Sequence, residues 1–369
     1  MTPFDVRILG TGIVSRAAAL SLARIGLNVA LQARPAGAPA STDVRTYALN
    51  PSSVQLLERL RAWSTLPEDA RTAVLDMQVQ GDAHASRIEF SAWRQAVPAL
   101  AWIVDAGALE NVLDAAAGFA PQVTLQAEPG PAPLTLVCEG KASLSRAQLG
   151  SRFVRHAYGH TAVAARLVAD RPHAGCARQW FRAPDILGLL PFDRPQAGCS
   201  YGLVWSLPQS EAQRWLAASP EEFEAGLMAA TGGQAGPLRL AGERAAWPLA
   251  LGHAEPVTGP GWALLGDAAH QVHPLAGQGL NLGLADVVAL AEVLADREVW
   301  RDLGDPALLR RYARRRALPT WAMARVTDGL WHLFAHENVG WRELRNHGLS
   351  LVNHLAPVKR WLASQALDV

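Results

Sequence analysis

Residues 264–290, LLGDAAHQVHPLAGQGLNLGLADVVAL, constrain this chain more than any other stretch. An apolar strand runs into Gly266 and Asp267. A compact turn region rich in Gly and Pro follows, then a helix with Ala, Leu and Val at its buried positions. One carboxylate is held at the strand end, and several glycines stand where the helix begins. Backbone amides can therefore approach a planar polar ligand or a phosphate closely. Near its start the chain carries a second such element, Ile8-Leu9-Gly10-Thr11-Gly12-Ile13-Val14-Ser15. Two ligand-approach elements so far apart in sequence suggest one long cofactor threaded between them.

The pattern around the first element supports this. Residues 5–10 read as a short apolar strand. Residues 13–26 read as a helix that Gly26 ends, and residues 27–32 as the next strand, the opening of a doubly wound nucleotide fold. A loop over 34–43 and a helix over 51–62 follow. Strand-like pieces lie between 72 and 104, a helix over 106–118, and at most two short strands between 121 and 137. A further set of strands is expected from 158 to 207, broken by Pro172, Pro184, Pro191 and Pro195. Residues 209–230 have a helical pattern, and strand-like pieces at 237–250 lead back to a strand at 262–266. Helices are expected over 279–296 and most of 306–367. Nucleotide-fold elements thus bracket a strand-rich insert.

Composition excludes some function classes. With 369 residues, 50% of them apolar, the chain can bury a large core. A net charge of only +1 argues against a nucleic-acid binder driven by overall charge. The charge is uneven, since residues 310–316 read Arg-Arg-Tyr-Ala-Arg-Arg-Arg. That run is either a solvated helix face or acidic-cofactor contact, or a basic patch facing a membrane surface or a partner. Cys138, Cys176 and Cys199 lack metal-site spacing and read as small buried filler. His270 and His273 have no carboxylate or Cys at zinc-site spacing, so no metal is expected. His332 and His336 read as partly exposed helical residues. With no signal segment and no uninterrupted run of 18 apolar residues, a cytoplasmic protein without a spanning helix is expected.

The order of these elements resembles the flavin-dependent aromatic hydroxylases related to para-hydroxybenzoate hydroxylase, and most closely the ubiquinone-biosynthesis hydroxylases. The resemblance covers nearly the whole chain. Its most specific part is GDAAHQVHPLAGQGLNLGLADVVALAEVL, residues 266–294. Supporting it are Asp43-Val44-Arg45-Thr46-Tyr47-Ala48-Leu49, Gln179-Trp180-Phe181, Leu189-Leu190-Pro191, Trp247-Pro248-Leu249, and the C-terminal runs RRYARRRALPTWAMARVTDGLWHLF and LVNHLAPVKRWL. The resemblance implies an α/β fold, a Rossmann-like FAD-binding domain with an inserted strand-rich substrate domain and a helical C-terminal region. Residues 1–70, 106–157 and 251–300 would form the FAD-binding part, 71–105 and 158–250 the substrate domain, and 301–369 the helical region.

The same resemblance implies site residues. Gly10, Gly12 and Ser15 would face the diphosphate, with Arg45 close to the flavin and the diphosphate. Asp267, after Gly266, would bond the ribityl chain or an adjacent part of FAD. The amides of Gly277, Gln278, Gly279, Leu280 and Asn281 would face the pyrimidine edge of the ring. Pro274 would lie beside the ring at the oxygen-activating position and is the candidate catalytic residue. Gln179 either reaches the flavin region or satisfies a sheet edge. The implied reaction is ring hydroxylation, with NAD(P)H as transient co-substrate and O2 as oxidant. Such chemistry needs few acid–base side chains. The protein must exclude water and place the ring. The implied substrate is a polyprenylated phenol or another aromatic. Partners are either ubiquinone-biosynthesis proteins or the inner face of the cytoplasmic membrane. Trp321, Trp331, Trp341 and Trp361 serve either helix packing or such an amphipathic surface.

Four departures from the family pattern fall on the adenosine half. Ser15 stands where a third small glycine is usual. Ala33 matches the position of a ribose-binding Glu, and losing that contact would cost about 1.5–3 kcal/mol, roughly 10- to 100-fold in affinity. Glu139, in Val137-Cys138-Glu139-Gly140, replaces an Asp. Gly107 stands where an Arg is usual. Two outcomes follow: a site that binds FAD weakly and still turns over, or a non-catalytic member of a biosynthetic assembly. A hydroxylase of a small soluble aromatic is a third reading.

Overall fold

The computed structural model of the chain describes residues 3–35, 43–81, 87–272 and 278–335. A six-stranded sheet contains β1 (Val6–Leu9), β2 (Val29–Gln32), β8 (Val123–Gln126), β9 (Leu134–Val137), β15 (Thr258–Gly259) and β16 (Trp262–Leu264). Its order is β15-β16-β9-β1-β2-β8, with every pair parallel except β15 against β16. Parallel strands are buried on both faces and so are nearly continuous apolar runs, as in Leu134-Thr135-Leu136-Val137. The crossover from β1 to β2 is α1 (Ile13–Arg24), whose small Ala17, Ala18 and Ala19 are buried against the sheet. Helices α3 (Ala106–Phe119) and α7 (Gln278–Ala295) pack against α1 in the same core. The order places the loops after β1, β9 and β16 side by side at one edge, where open parallel sheets bind ligands.

A three-stranded antiparallel sheet joins β3 (Thr46–Leu49), β7 (Ala101–Asp105) and β4 (Arg71–Val74), in that order. Helix α2 (Pro51–Arg59) follows β3, capped by the Asn50 side chain with Pro51 in its first turn. The largest sheet has eight strands: β5 (Asp76–Gln80), β6 (Arg87–Ser91), β10 (Arg152–Ala169), β11 (Cys176–Arg182), β12 (Asp185–Phe192), β13 (Ser200–Pro208), β14 (Leu238–Glu255) and β17 (His270–Gln271). Its order is β17-β14-β10-β13-β12-β11-β5-β6. Helices α5 (Gln209–Ala217) and α6 (Pro220–Thr231) cover one face, burying Trp180, Leu187, Trp205 and Phe223. Its other face borders the ligand-binding edge of the parallel sheet. The short α4 (Leu144–Gln148) leads into β10, and α8 (Pro306–Ala335) packs on α7.

This is the α/β architecture expected: a Rossmann-like region, a strand-rich region and C-terminal helices. Several elements differ from the sequence reading. The expected helix over 209–230 is two, because Ser219 and Glu222 form a capping box that starts a new helix with Pro220 in its first turn. The pieces at 237–250 are one 18-residue strand, β14, which runs on to Glu255 beside the equally long β10. Pairing with a long neighbour carries both strands through sequence that lacks clean alternation. Among the described residues no helix is long and apolar enough to cross a membrane, and no group of three or more metal-ligating side chains occurs. His336, Trp341 and Trp361 lie outside the described residues.

Candidate cofactor and substrate site

The site begins at the turn after β1. Gly10 has φ +124°, and a Cβ there would lie 2.3 Å from the Cys138 carbonyl oxygen, so the turn and the end of β9 touch backbone to backbone. Gly12 is the N-cap of α1 and makes no side-chain cap, which leaves the first amides of the helix without a local acceptor. A Cβ on Gly12 would meet nothing within 4 Å. That open space belongs to a cavity of about 540 Å³. Its walls are the start of α1 (Gly12, Ile13), Arg45 with Tyr47 of the adjoining β3, and the 266–267 turn with the first turn of α7 (Gly279, Leu280). From there the cavity continues along the eight-stranded sheet past Gln179, Val204, Trp247 and Leu249.

Gly266 takes φ +62° and lets the chain turn sharply after β16, so that Asp267 lines the cavity. Behind the turn lies a buried charged network. The Gly266 amide donates to Asp286 Oδ2 at 2.9 Å, His270 Nε2 lies 2.6 Å from the same oxygen, and Arg316 Nε donates to Asp286 Oδ1 at 2.7 Å. Burial alone would push the Asp286 carboxyl up, but His270, Arg316 and the Gly266 amide together hold it below the usual carboxylate range. Burial likewise opposes charging of His270, and Asp286 outweighs it, so the imidazole is raised above its ordinary value. The Tyr312 hydroxyl, in the next buried position of α8, donates to the Leu264 carbonyl. The arginine run 310–316 is therefore in part an internal feature, with Arg316 inward and Arg311 and Arg315 paired with Glu298 and Glu292.

At the opposite end the charges are dense. Arg45 pairs with Asp43 and lies 3.7 Å from Glu110, while Arg34 donates to Glu110 at 2.8 Å. The Arg45 guanidinium is held further toward its charged form by these carboxylates, Asp43 first. Arg16 is buried and bonded to Asp114. Near Gly107, on the next turn of α3, Glu110 holds Arg34. Burial raises the Tyr47 hydroxyl to about 12, so it stays a hydrogen-bond donor on the cavity wall. Burial also pushes the Cys138 thiol well up, in line with a packing role.

The residues singled out from sequence fall into three groups. Gly12, Arg45, Gly266, Asp267, Gly279, Leu280 and Gln179 line one cavity, and Gly10 shapes its turn. Three others are engaged elsewhere. The Ser15 hydroxyl donates back to the Gly12 carbonyl inside α1. Glu139 accepts from the Ser143 and Ser145 hydroxyls and so fixes the start of α4. The Asn281 side chain is buried and joins α7 to β3 and α2: its carboxamide oxygen accepts from the Asn50 amide and the Ser53 hydroxyl, and its nitrogen donates to Ala48. Pro274 and Gly277 lie outside the described residues, as does the side chain of Gln278.

The side chain at the end of β2 that reaches the glycine turn belongs to Gln32, not Ala33: Gln32 Oε1 accepts from the Gly10 amide at 2.6 Å. Strand alternation explains this, because Leu31 points into the core while Gln32 faces the turn. The sequence analysis missed Gln32, Asp286 and Arg316. An amide at a strand end, two residues before Arg34, was the available signal for the first. For the other two there was none, since their partnership spans 30 residues.

Comparison with known proteins agrees with this geometry. A family model described as an FAD binding domain matches residues 131–327, just over half of the chain. Ubiquinone hydroxylase UbiL of Rhodospirillum rubrum is 29% identical over 98% of this chain and 89% of its own length. The 3-demethoxyubiquinol 3-hydroxylase of Escherichia coli is 28% identical over 100% of this chain and 99% of its own. Among solved structures, p-nitrophenol 4-monooxygenase PnpA from Pseudomonas putida shares the fold, with a TM-score of 0.78 at 18% identity over 99% of this chain and 98% of that one. With a cavity that begins at an uncapped helix start and a family match over more than half of its length, the chain belongs to the FAD binding domain family.

Proposed function

We propose that the protein is an FAD-dependent monooxygenase that hydroxylates the aromatic ring of a polyprenylated phenol in ubiquinone biosynthesis. The observation that carries this reading is the single cavity joining the Gly12 helix start to an apolar sheet face. The residues fit the cofactor. The amides at the start of α1 suit a diphosphate, Arg45 supplies charge beside it, and the Gln32 carboxamide suits an adenosine ribose. Asp267 and the first turn of α7 suit the polar edge of the flavin. Bound FAD, reduced by NAD(P)H, would supply the activation of O2. The chain's own residues then have two tasks. Asp267 and the Gly279 amide orient the cofactor, while Ile186, Val204, Trp247 and Leu249 exclude water and hold the ring. An insoluble phenol must be collected at a membrane or within an assembly. The exposed Leu318 and Trp321 of α8, with Arg314 and Arg325 on the same helix, suit such a peripheral contact.

The test is FAD titration of the apoprotein by flavin fluorescence, then anaerobic reduction by NADH and NADPH. Saturable binding with reduction, accelerated by a phenolic lipid extract, is the expected result. The neutral Gln32 favours one alternative, a non-catalytic accessory protein of the same assembly with weakened FAD binding. Absence of binding at high micromolar FAD in folded protein would overturn the catalytic reading for the isolated chain. Gln32→Glu should tighten FAD about tenfold, because one oxygen keeps the Gly10 amide while the other accepts a ribose hydroxyl with charge assistance. An unchanged dissociation constant would mean that the ribose does not reach residue 32.

A further inference from the structure

The cavity-facing side of the eight-stranded sheet can be read from its register. Gln179, Gly188, Val204 and Ala164 are successive partners across β11, β12, β13 and β10, and all four line the cavity. Two residues along the strands, Ile186 pairs with Ser206, and Ala162 links Ser206 to Trp247. Ile186, Ser206 and Trp247 also line the cavity. The alternating residues Trp180, Leu187, Trp205 and Leu207 face the other way, under α5 and α6. The cavity's charged side chains, Arg45, Glu110, Lys141 and Asp267, all lie outside this sheet.

Ser206 is the exception on an otherwise apolar row. It is 3% exposed, and its Oγ has no hydrogen-bond partner among the described residues. A buried hydroxyl without a partner destabilises the folded state relative to alanine. Nothing in the fold uses this one.

We propose that Ser206 is the polar anchor of the substrate site, its Oγ hydrogen-bonding the hydroxyl of a neutral phenol that lies against Ile186 and Trp247. This rests on the reading of the cavity as an aromatic-hydroxylase site and narrows its substrate class. None of the sheet residues that line the cavity is a cation, so an aromatic carboxylate held against Ser206 would leave its buried charge unpaired. A phenol with an alkyl or prenyl tail satisfies both the one hydroxyl and the apolar surround.

The experiment is isothermal titration calorimetry of the full chain with 4-hexylphenol, hexylbenzene and 4-hexylbenzoate, with and without saturating FAD. The expected result is 4-hexylphenol binding about tenfold tighter than hexylbenzene, and 4-hexylbenzoate weaker than either. Ser206→Ala should bring the phenol down to the hexylbenzene level and leave hexylbenzene unchanged, and Ser206→Thr should restore the preference. A general structural role would move both ligands together. A tenfold preference that survives in Ser206→Ala overturns the anchor, and tight 4-hexylbenzoate binding overturns the neutral class. Failure of the functional reading is separate: a chain that discriminates the phenols through Ser206 yet binds no FAD keeps the anchor and is not a flavoenzyme.

Discussion

Replacing Asp286 with asparagine should destabilise the folded protein by about 3–5 kcal/mol, because it strands the charge of Arg316 and removes the acceptor that His270 faces in a buried setting. The carboxylate is fully buried and accepts from three elements at once: the 266 turn, β17 and α8. Asparagine keeps its shape but offers one acceptor oxygen in place of two. Urea denaturation at fixed pH measures the loss. A double-mutant cycle with Arg316→Met isolates the pair, since the second change should cost much less once the carboxylate is gone. A loss below 1 kcal/mol would show that the network is solvated.

The same network fixes a pH dependence. The raised His270 contributes stability that is fully present below its ordinary value of 6.5 and is lost as pH rises through its higher folded value. The lowered Asp286 contributes stability present above 3.8 and lost as pH falls through its lower folded value. The contribution is therefore complete between about pH 4 and 6.5 and declines on either side. In Asp286→Asn this part of the stability profile should flatten.

Gly10→Ala should be strongly disruptive for a single added methyl. The added carbon would sit 2.3 Å from the Cys138 oxygen and 2.6 Å from its carbonyl carbon, at a φ of +124° that L residues rarely adopt. Relief requires separating β1 from β9, two central strands of the parallel sheet, and breaking the hydrogen bond from the Cys138 amide to the Leu9 carbonyl. A loss of more than about 3 kcal/mol is expected, with FAD binding lost as well. Gly12→Ala is the control, since its Cβ meets nothing and its φ is −96°. That variant should melt like the parent and still bind FAD at least tenfold more weakly, because the methyl enters the space proposed for the diphosphate. Melting curves and flavin titrations of both variants separate the two effects. Equal melting temperatures for Gly10→Ala and the parent would refute the close approach.

The glycine turns, the strand into Asp267 and helix α7 are legible in the sequence because each is a short-range pattern whose chemistry is local. The partners of Asp286 are not legible. Its position in Gly283-Leu284-Ala285-Asp286 reads as one more turn of an apolar helix, and Arg316 reads as one cation in an exposed run. Only packing of α8 on α7 brings them together. Side-chain direction is likewise not legible in a motif. Aligning by pattern puts Ala33 at the ribose, whereas pleating aims Gln32 at Gly10. The motif speaks for the Asn281 backbone amide and is silent on its carboxamide, which ties α7 to β3 and α2. Glu139 keeps a family-like charge and spends it on two serines. The distal substrate wall was illegible for a related reason, since Ser206 and Trp247 become neighbours only through the pairing of β10 with both β13 and β14.

Asp286 holds the cofactor turn with one oxygen and α8 with the other. Whatever ligand settles on the Gly266–Asp267 turn therefore shares a thermodynamic linkage with the docking of α8, and the linkage is reciprocal. A ligand that favours the ordered turn must slow amide exchange in α8 by the same free energy with which a docked α8 tightens the ligand. A partner surface that pulled on the exposed side of that helix would then set cofactor retention from a distance, without touching the cavity.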